Sequence, residues 1–413
     1  MKTRMLATAI LAIGVISIWP GQGQAADCPI KIGALAPLSA PGAVTGGEAM
    51  RDAMLIAADD INAKGGILGC KAELIVADSE GLPERATAVM EKLIGQDKVV
   101  AVGGGYHSSV GLAAGQVAHD KNVPIVFAET WNDQITANKL PEVFRIAPLS
   151  SEAAAVYYNF TATVPGVKKV VIVTENTDYG IPAAQETEAG LKKSSIESTT
   201  FSVDIGTQDF AGIVQRIKAE KPDMIITLTT GEASLNFAQQ AADAGIGPRD
   251  LPMICDQVGL ESKLFWTNVP DGNNCFLTRI GLPPQLYNDV TKSFQARYIE
   301  KTGKKAAESY AFEAYDSIMI LAQAINEAGK TDGESIITAL ENIKYVGALG
   351  EISFPVNRNN PPEKAGKEDK WWHQFPDPAI TVVQYQEKGQ DSTDAPVVFP
   401  AKYVTGKAVF VNQ

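Results

Sequence analysis

Several stretches of the chain hold side chains whose types and spacing could do chemistry. His107-Ser108-Ser109-Val110-Gly111 sets a histidine beside two serines, the ingredients of nucleophilic acyl transfer. The stretch lacks the first glycine of the G-x-S-x-G elbow and no acid–base partner set accompanies it, so a secreted serine hydrolase is only the weaker alternative. Gly103-Gly104-Gly105-Tyr106-His107-Ser108 begins like a dinucleotide-binding turn and lacks its last glycine. Gly329-Lys330-Thr331 imitates the end of a phosphate loop without the earlier glycine, and a helix stop accounts for it better. The histidines are His107, His119 and His373, and no tight Cys/His spacing joins them. Neither a metal site nor a bound cofactor is expected. Binding without covalent chemistry is the better reading of these residues.

What could position such residues follows from the rest of the sequence. The 413 residues carry 36 basic and 48 acidic side chains, a net charge of −12, and 45% are hydrophobic. That composition is globular, and its acidity argues against nucleic acid or any partner with dense phosphate. At ~100–200 residues per domain, the length suggests two domains. Residues 1–26 run from Lys2 and Arg4 through MLATAILAIGVISIW to GQGQAA, the three-part pattern of a cleaved secretory signal. The apolar run is shorter than the ~20 residues of a spanning helix. Ala25-Ala26-Asp27 before Cys28 lacks a lipid-attachment pattern, so a free periplasmic protein without a lipid anchor is expected. Cleavage removes two basic residues and no acid, leaving 34 against 48, or −14.

Strand-like and helix-period segments alternate from residue 30. IKIGALA (30–36), AELIVAD (72–78), VVAVGG (99–104) and VPIVFA (123–128) read as strands, with helices over 45–64, 83–96 and 108–121 between them. In the first helix Met50, Ala53, Met54, Ala57 and Ile61 share one face. After FRIAPLSS (144–151) a second series begins: strands at 168–175, 195–203, 222–230, 251–256 and 275–280, with helices after Tyr179-Gly180, over 209–220 and over 232–244. Helices over 283–302, 308–328 and 333–343 follow, then strands at 348–354 and 380–386 flanking the charged loop 355–378. Trp371-Trp372-His373 in that loop could touch a ligand or a permease, but docking on its own lobe is the expectation. Repeated strand–helix units imply doubly wound parallel sheets. In such sheets ligands bind beyond the carboxyl ends of the strands. That rule selects Ser39 after the first strand, Tyr106, His107, Ser108 and Ser109 after the third, and Glu129, Thr130 and Trp131 after the fourth. From the second series it selects Asp178, Tyr179, Thr230, Glu232, Asp256 and Gln257. Ser108 and Ser109 open a helix, whose positive end suits a carboxylate without any lysine or arginine.

The order of these elements resembles the type I periplasmic solute-binding proteins, in particular the branched-chain amino-acid (leucine/isoleucine/valine) binding family of ABC importers. The resemblance rests on IKIGALAPLSAPGAVTGGEAMRDAMLIAADDINAKGGILG, VVAVGGGYHSSVGLAA, VPIVFAE, VVIVTENTDYG and AYDSIMILAQAI. It implies two α/β lobes joined by a three-strand hinge crossed near 147, 280 and 345. Lobe one would then comprise 28–147 with 281–344, and lobe two 148–280 with 345–413. It implies a monomer that closes on a small amino-acid-like solute and delivers it to an inner-membrane permease. An aromatic carboxylate or an amide-type compound is the runner-up ligand.

Carried onto this chain, the resemblance puts the ligand carboxylate at Ser108 or Ser109, an aromatic wall at Tyr179, an acceptor for the ligand ammonium at Asp256 or Gln257, and Tyr310 on the hinge side. The chain departs from the family at Ala128-Glu129-Thr130-Trp131, where small residues and a threonine are usual. A glutamate there repels an anion unless it turns away, is protonated or meets a cation, and Trp131 offers a flat face for a ring or a cation. The doubly wound topology also starts the strands after Cys28 and Cys70 at one edge and sets Cys255 and Cys275 on successive strands. Pairs 28–70 and 255–275 are expected among the three possible connectivities, with free buried thiols as the rival.

Overall fold

The computed structural model describes residues 28–255, 257–306, 309–376 and 378–410; the expected signal sequence lies outside them. The first series folds into a parallel sheet of five strands, one more than the four expected. β1 (Ile30–Ala36), β2 (Ala72–Asp78), β3 (Ala101–Gly104), β4 (Ile125–Phe127) and β5 (Val143–Arg145) pair in the order β2-β1-β3-β4-β5, all parallel. Between them run α1 (Val44–Ala63), α2 (Pro83–Lys92), α3 (Ser108–Asp120) and the short α4 (Gln134–Ala137). Each of the five apolar residues predicted on one face of α1 is buried. The second predicted helix changes to a π turn at Leu93–Asp97. The segment around residue 144, expected as the passage between the two series, forms the edge strand β5.

The second series forms a seven-stranded sheet. β6 (Lys169–Glu175), β7 (Glu197–Val203), β8 (Met224–Leu228), β9 (Met253–Ile254) and β10 (Phe276–Ile280) are parallel and carry α5 (Ser150–Thr161), α6 (Gly180–Lys193), α7 (Ala211–Glu220), α8 (Glu232–Asp243) and α9 (Ser262–Asn268). α10 (Asp289–Thr302), α11 (Tyr310–Ala328) and α12 (Gly333–Asn342) return to the first sheet, where α11 packs on α1 and β3. A hairpin of β11 (Tyr345–Gly347) and β12 (Gly350–Ile352) and a turn of helix, α13 (Pro362–Ala365), follow. β13 (Ile380–Gln384) then joins β10 antiparallel and β14 (Val397–Phe399) joins β13 antiparallel, so the sheet is mainly rather than wholly parallel.

The chain passes between the sheets three times, at 146–149, 281–288 and 375–379. The third passage lies well beyond the expected 345. The reason is packing: Tyr345 bonds Asp316 of α11, Phe354 and His373 lie against Phe144 of β5, and His373 bonds Glu341 of α12. Residues 345–375 thus sit with the five-stranded sheet, and the Trp371-Trp372-His373 segment docks there, on Leu140, Val143 and Phe144, and not on the second lobe as expected.

Cys28 is joined to Cys70 and Cys255 to Cys275, with Cα separations of 5.3 and 6.1 Å. The bridges close 42 and 20 residues of chain and each restricts the unfolded state by about 3–4 kcal/mol.

Candidate functional site

The carboxyl ends of β3, β4, β6, β8 and β9 converge between the two sheets. A small cavity lies there, with about 300 Å³ of space between its atoms, part of it open to solvent. Tyr106, His107, Ser108, Glu129, Trp131, Tyr179, Thr230 and Gln257 line it, and sequence reasoning had placed each of them at a strand end.

The β3–α3 turn aims the first three. Gly104 and Gly105 take φ of +95° and +84°, and a Cβ on Gly104 would meet the Leu35 carbonyl at 2.4 Å, so only glycine fits. The triple glycine therefore serves this turn and not a nucleotide. The loop after β4 is fixed just as firmly. Ala128 and Glu129 donate backbone N–H to the carbonyls of Gly104 and Gly105, and Trp131 and Asn132 donate theirs to Ser108 Oγ at 3.2 and 3.1 Å. Arg145, fully buried, donates to the carbonyls of Thr130 and Asn132 from behind.

Successive side chains in this loop alternate. Glu129 and Trp131 enter the cavity, while the Thr130 methyl turns onto α3 at Gly111, which removes Thr130 from the wall. Four other candidates are also placed elsewhere. Ser39 is exposed on its turn, where its hydroxyl engages Asp78. Ser109 Oγ accepts from the Asp178 backbone across the cleft at 3.4 Å. Glu232 Oε1 accepts from Thr45 N and Oγ1 at 2.9 and 2.7 Å, also across the cleft. Tyr310 stands behind Tyr106, ring centroids 6.1 Å apart, with its hydroxyl toward Glu261. Asp256 lies outside the described residues. Ser108 remains in the wall, but its oxygen is already accepting the two amides.

These contacts close the cleft. Asn132 donates to the Asp178 carbonyl, Gln257 Nε2 donates to Glu129 Oε1 at 2.7 Å, and Trp131 meets Tyr179 edge to face at 5.9 Å. Thr230 donates through N and Oγ1 to the buried Glu175, which holds the loop after β8 in register with the wall.

Polarity inside the cavity is one-sided. Among the described residues no lysine or arginine lines it. Glu129 is 4% exposed and faces Glu313, a fully buried acid of α11 that sequence reasoning missed. An acid on the apolar face of AYDSIMILAQAI's preceding turn was the available signal. Neither Glu313 oxygen has a hydrogen-bond partner of good geometry, and the same is true of Glu129 Oε2, Trp131 Nε1 and both His107 ring nitrogens. Burial pushes Glu129 up to about 7, against the Glu313, Gln257 and Trp131 contacts that favour its ionised form. Burial together with the neighbouring Glu129 holds Glu313 well above the carboxylate range, so Glu313 is the protonated member of the pair. Burial holds His107 down at about 4, a neutral imidazole at neutral pH. Among the described residues no cluster of three or more His, Cys, Asp or Glu is placed to hold a metal ion. The cavity offers one acid, one neutral imidazole, an indole N–H, aromatic walls and the uncapped N-terminus of α3.

Comparison with known proteins bears on the family and the fold. The model of the periplasmic binding protein family matches residues 29–365. An amino acid binding protein of Pseudomonas aeruginosa is 29% identical over 336 residues, which cover 80% of this chain and 87% of that protein. A leucine binding protein of Thermotoga maritima superposes with a TM-score of 0.76 at 21% identity, covering 89% of this chain and 97% of that one. A solute binding protein of an ABC transporter from R. palustris, solved with benzoate, gives 0.76 at 18% identity, covering 92% and 97%.

Proposed function

The chain belongs to the periplasmic binding protein family, and from that premise we propose that it is the solute-binding component of an ABC importer that captures an amino-acid-like molecule between its lobes. The observation that carries this reading is the cavity at the strand ends of both sheets, in whose wall Glu129 Oε2 and both His107 ring nitrogens lack a hydrogen-bond partner of good geometry. Buried polar groups cost free energy unless something pairs them, and a bound solute is what would pair these. Closure is then a population shift: the ligand touches both lobes only in the closed form and stabilises it by that difference.

In this reading lobe one comprises residues 28–145 with 289–374, lobe two comprises 150–280 with 380–410, and the passages between them form the hinge. The cavity residues Tyr106, His107, Ser108, Glu129 and Trp131 belong to lobe one and Tyr179, Thr230 and Gln257 to lobe two. The protein works as a monomer in the periplasm after cleavage of residues 1–26, and an inner-membrane permease receives its load. An aromatic carboxylate is the second reading, supported by the Trp131–Tyr179 pair and by the benzoate-bound relative.

Thermal-shift measurement over amino acids, amides and aromatic acids, followed by calorimetry of any hit, tests the proposal. A ligand at a hundred times its Kd adds about 2.7 kcal/mol. One-to-one binding with the solute recovered unchanged is expected; turnover of an ester or amide would contradict it.

A further inference from the structure

We propose that Glu129, backed by Glu313, is the counter-ion for a cationic amine, so that this cleft selects its solute by the amine and not by a carboxylate. The inference rests on the solute-binding reading above and names the class of solute within it. Glu129 enters the cavity from the loop after β4, fixed by amides, by Ser108 and by Arg145. Its Oε1 is taken by Gln257 from the opposite lobe, while Oε2 has no partner of good geometry. Glu313, directly behind, is protonated and can supply only one O–H to the pair. A single negative charge therefore faces the cavity, with no described lysine or arginine in the wall to neutralise it.

A buried charge without a partner is costly, and a ligand cation removes that cost. The walls suit the same charge: Tyr106, Trp131 and Tyr179 present ring surface to it, as aromatic pockets do for ammonium groups. Neutral His107 adds either an acceptor or a donor but no positive charge for an anion. Glu313 touches Glu129 and not the solute, which makes it a positioning residue. The other titratable groups that bear on the pair are Asp316 and Tyr310 of α11 and His107 of the β3–α3 turn. None of them brings a positive charge at neutral pH.

Calorimetry at pH 5.5 and 7.5 with leucine, leucinamide, 4-methylpentanoate and benzoate separates the outcomes. Leucine and leucinamide bind, the two carboxylates without an amine do not, and amine affinity rises with pH as Glu129 ionises. E129Q weakens amine binding by about 100-fold. E313Q keeps a donor behind Glu129 and retains affinity within about tenfold. E313L removes that donor and moves the midpoint of the affinity–pH profile upward, which a merely structural role for Glu313 would not do. Binding of benzoate or 4-methylpentanoate in preference to the amines overturns this inference and leaves the importer reading standing. Binding of none of the four overturns the amine selection and the amino-acid reading together.

Discussion

His373 and His107 are both removed from solvent, yet the first is bonded through both ring nitrogens and the second through neither. His373 Nδ1 meets the Val143 carbonyl and Nε2 meets Glu341 Oε1, each at 3.1 Å, and its ring stacks on Phe144 at 3.9 Å. Glu341 also accepts from Arg358, and Arg145 nearby donates to Gln374, Thr136 and two carbonyls. Two acids of α11 repeat the contrast one turn apart. Asp316 accepts from the amides of Ala348 and Leu349 and from the Tyr345 hydroxyl, and so pins the β11–β12 hairpin, while Glu313 meets only another acid. A chain that satisfies its buried polar groups in one place and leaves them open in another has built the second place for something outside the chain.

The largest expected effect breaks the bonded cluster. Glu341→Ala leaves the buried His373 Nε2 without its partner and removes the Arg358 bonds to that carboxylate, and should cost about 2–3 kcal/mol of stability in urea denaturation. Glu129→Gln in the open cluster removes an uncompensated acid and should leave the ligand-free protein unchanged or more stable by about 1 kcal/mol. If the two substitutions cost alike, the contrast is wrong.

Acidity sharpens the same comparison, because the two clusters respond with opposite sign. Glu341 is opposed by burial, but its bonds to His373 and Arg358 outweigh that and hold it down at about 2. Its contribution is present above the ordinary glutamate range and is lost as pH falls toward 2. Glu129, raised to about 7, contributes stability that is full below the ordinary glutamate range and is lost as pH rises through 7. His107, lowered to about 4, contributes stability present above the ordinary histidine range and lost as pH falls through 4. Between pH 5 and 7 these two cleft groups oppose each other. The Tm of the ligand-free wild type minus that of Glu129→Gln should therefore fall across this interval, and a constant difference would remove Glu129 from the account.

The smallest effect concerns closure. Thr45 and Glu232 bond across the cleft, so Thr45→Val should weaken solute binding by about fivefold, equivalent to about 1 kcal/mol, with little change in Tm. Calorimetry against the wild type checks it.

Much of this was legible in the sequence because it rests on periodicity. The apolar runs located β1 to β4, β6 to β8 and β10 to within two or three residues, and the strand-end rule placed all eight cavity residues. What escaped depends on partners distant in the chain. The antiparallel entry of β13, the three-residue strands β5 and β14 and the docking of 345–375 have no local signature. The hydroxyls of Ser39, Ser109 and Thr230 and the carboxylate of Glu232 were plausible ligand contacts by type, but each is already engaged by Asp78, Asp178, Glu175 or Thr45. Thr130 could have been set aside from the sequence, since alternation sends it away from the side that Glu129 and Trp131 share. Glu313 was readable too: it sits on the buried face of α11, where an acid without a neighbour of opposite charge calls for an explanation.

The most direct test is a crystal structure of the protein with the amine-bearing solute that binds it most tightly. The account places the ligand nitrogen ~3 Å from Glu129 Oε2, beside Trp131 and Tyr179 and within reach of His107. A ligand carboxylate or bare ring against Glu129, or a solute bound outside this cavity, would contradict it.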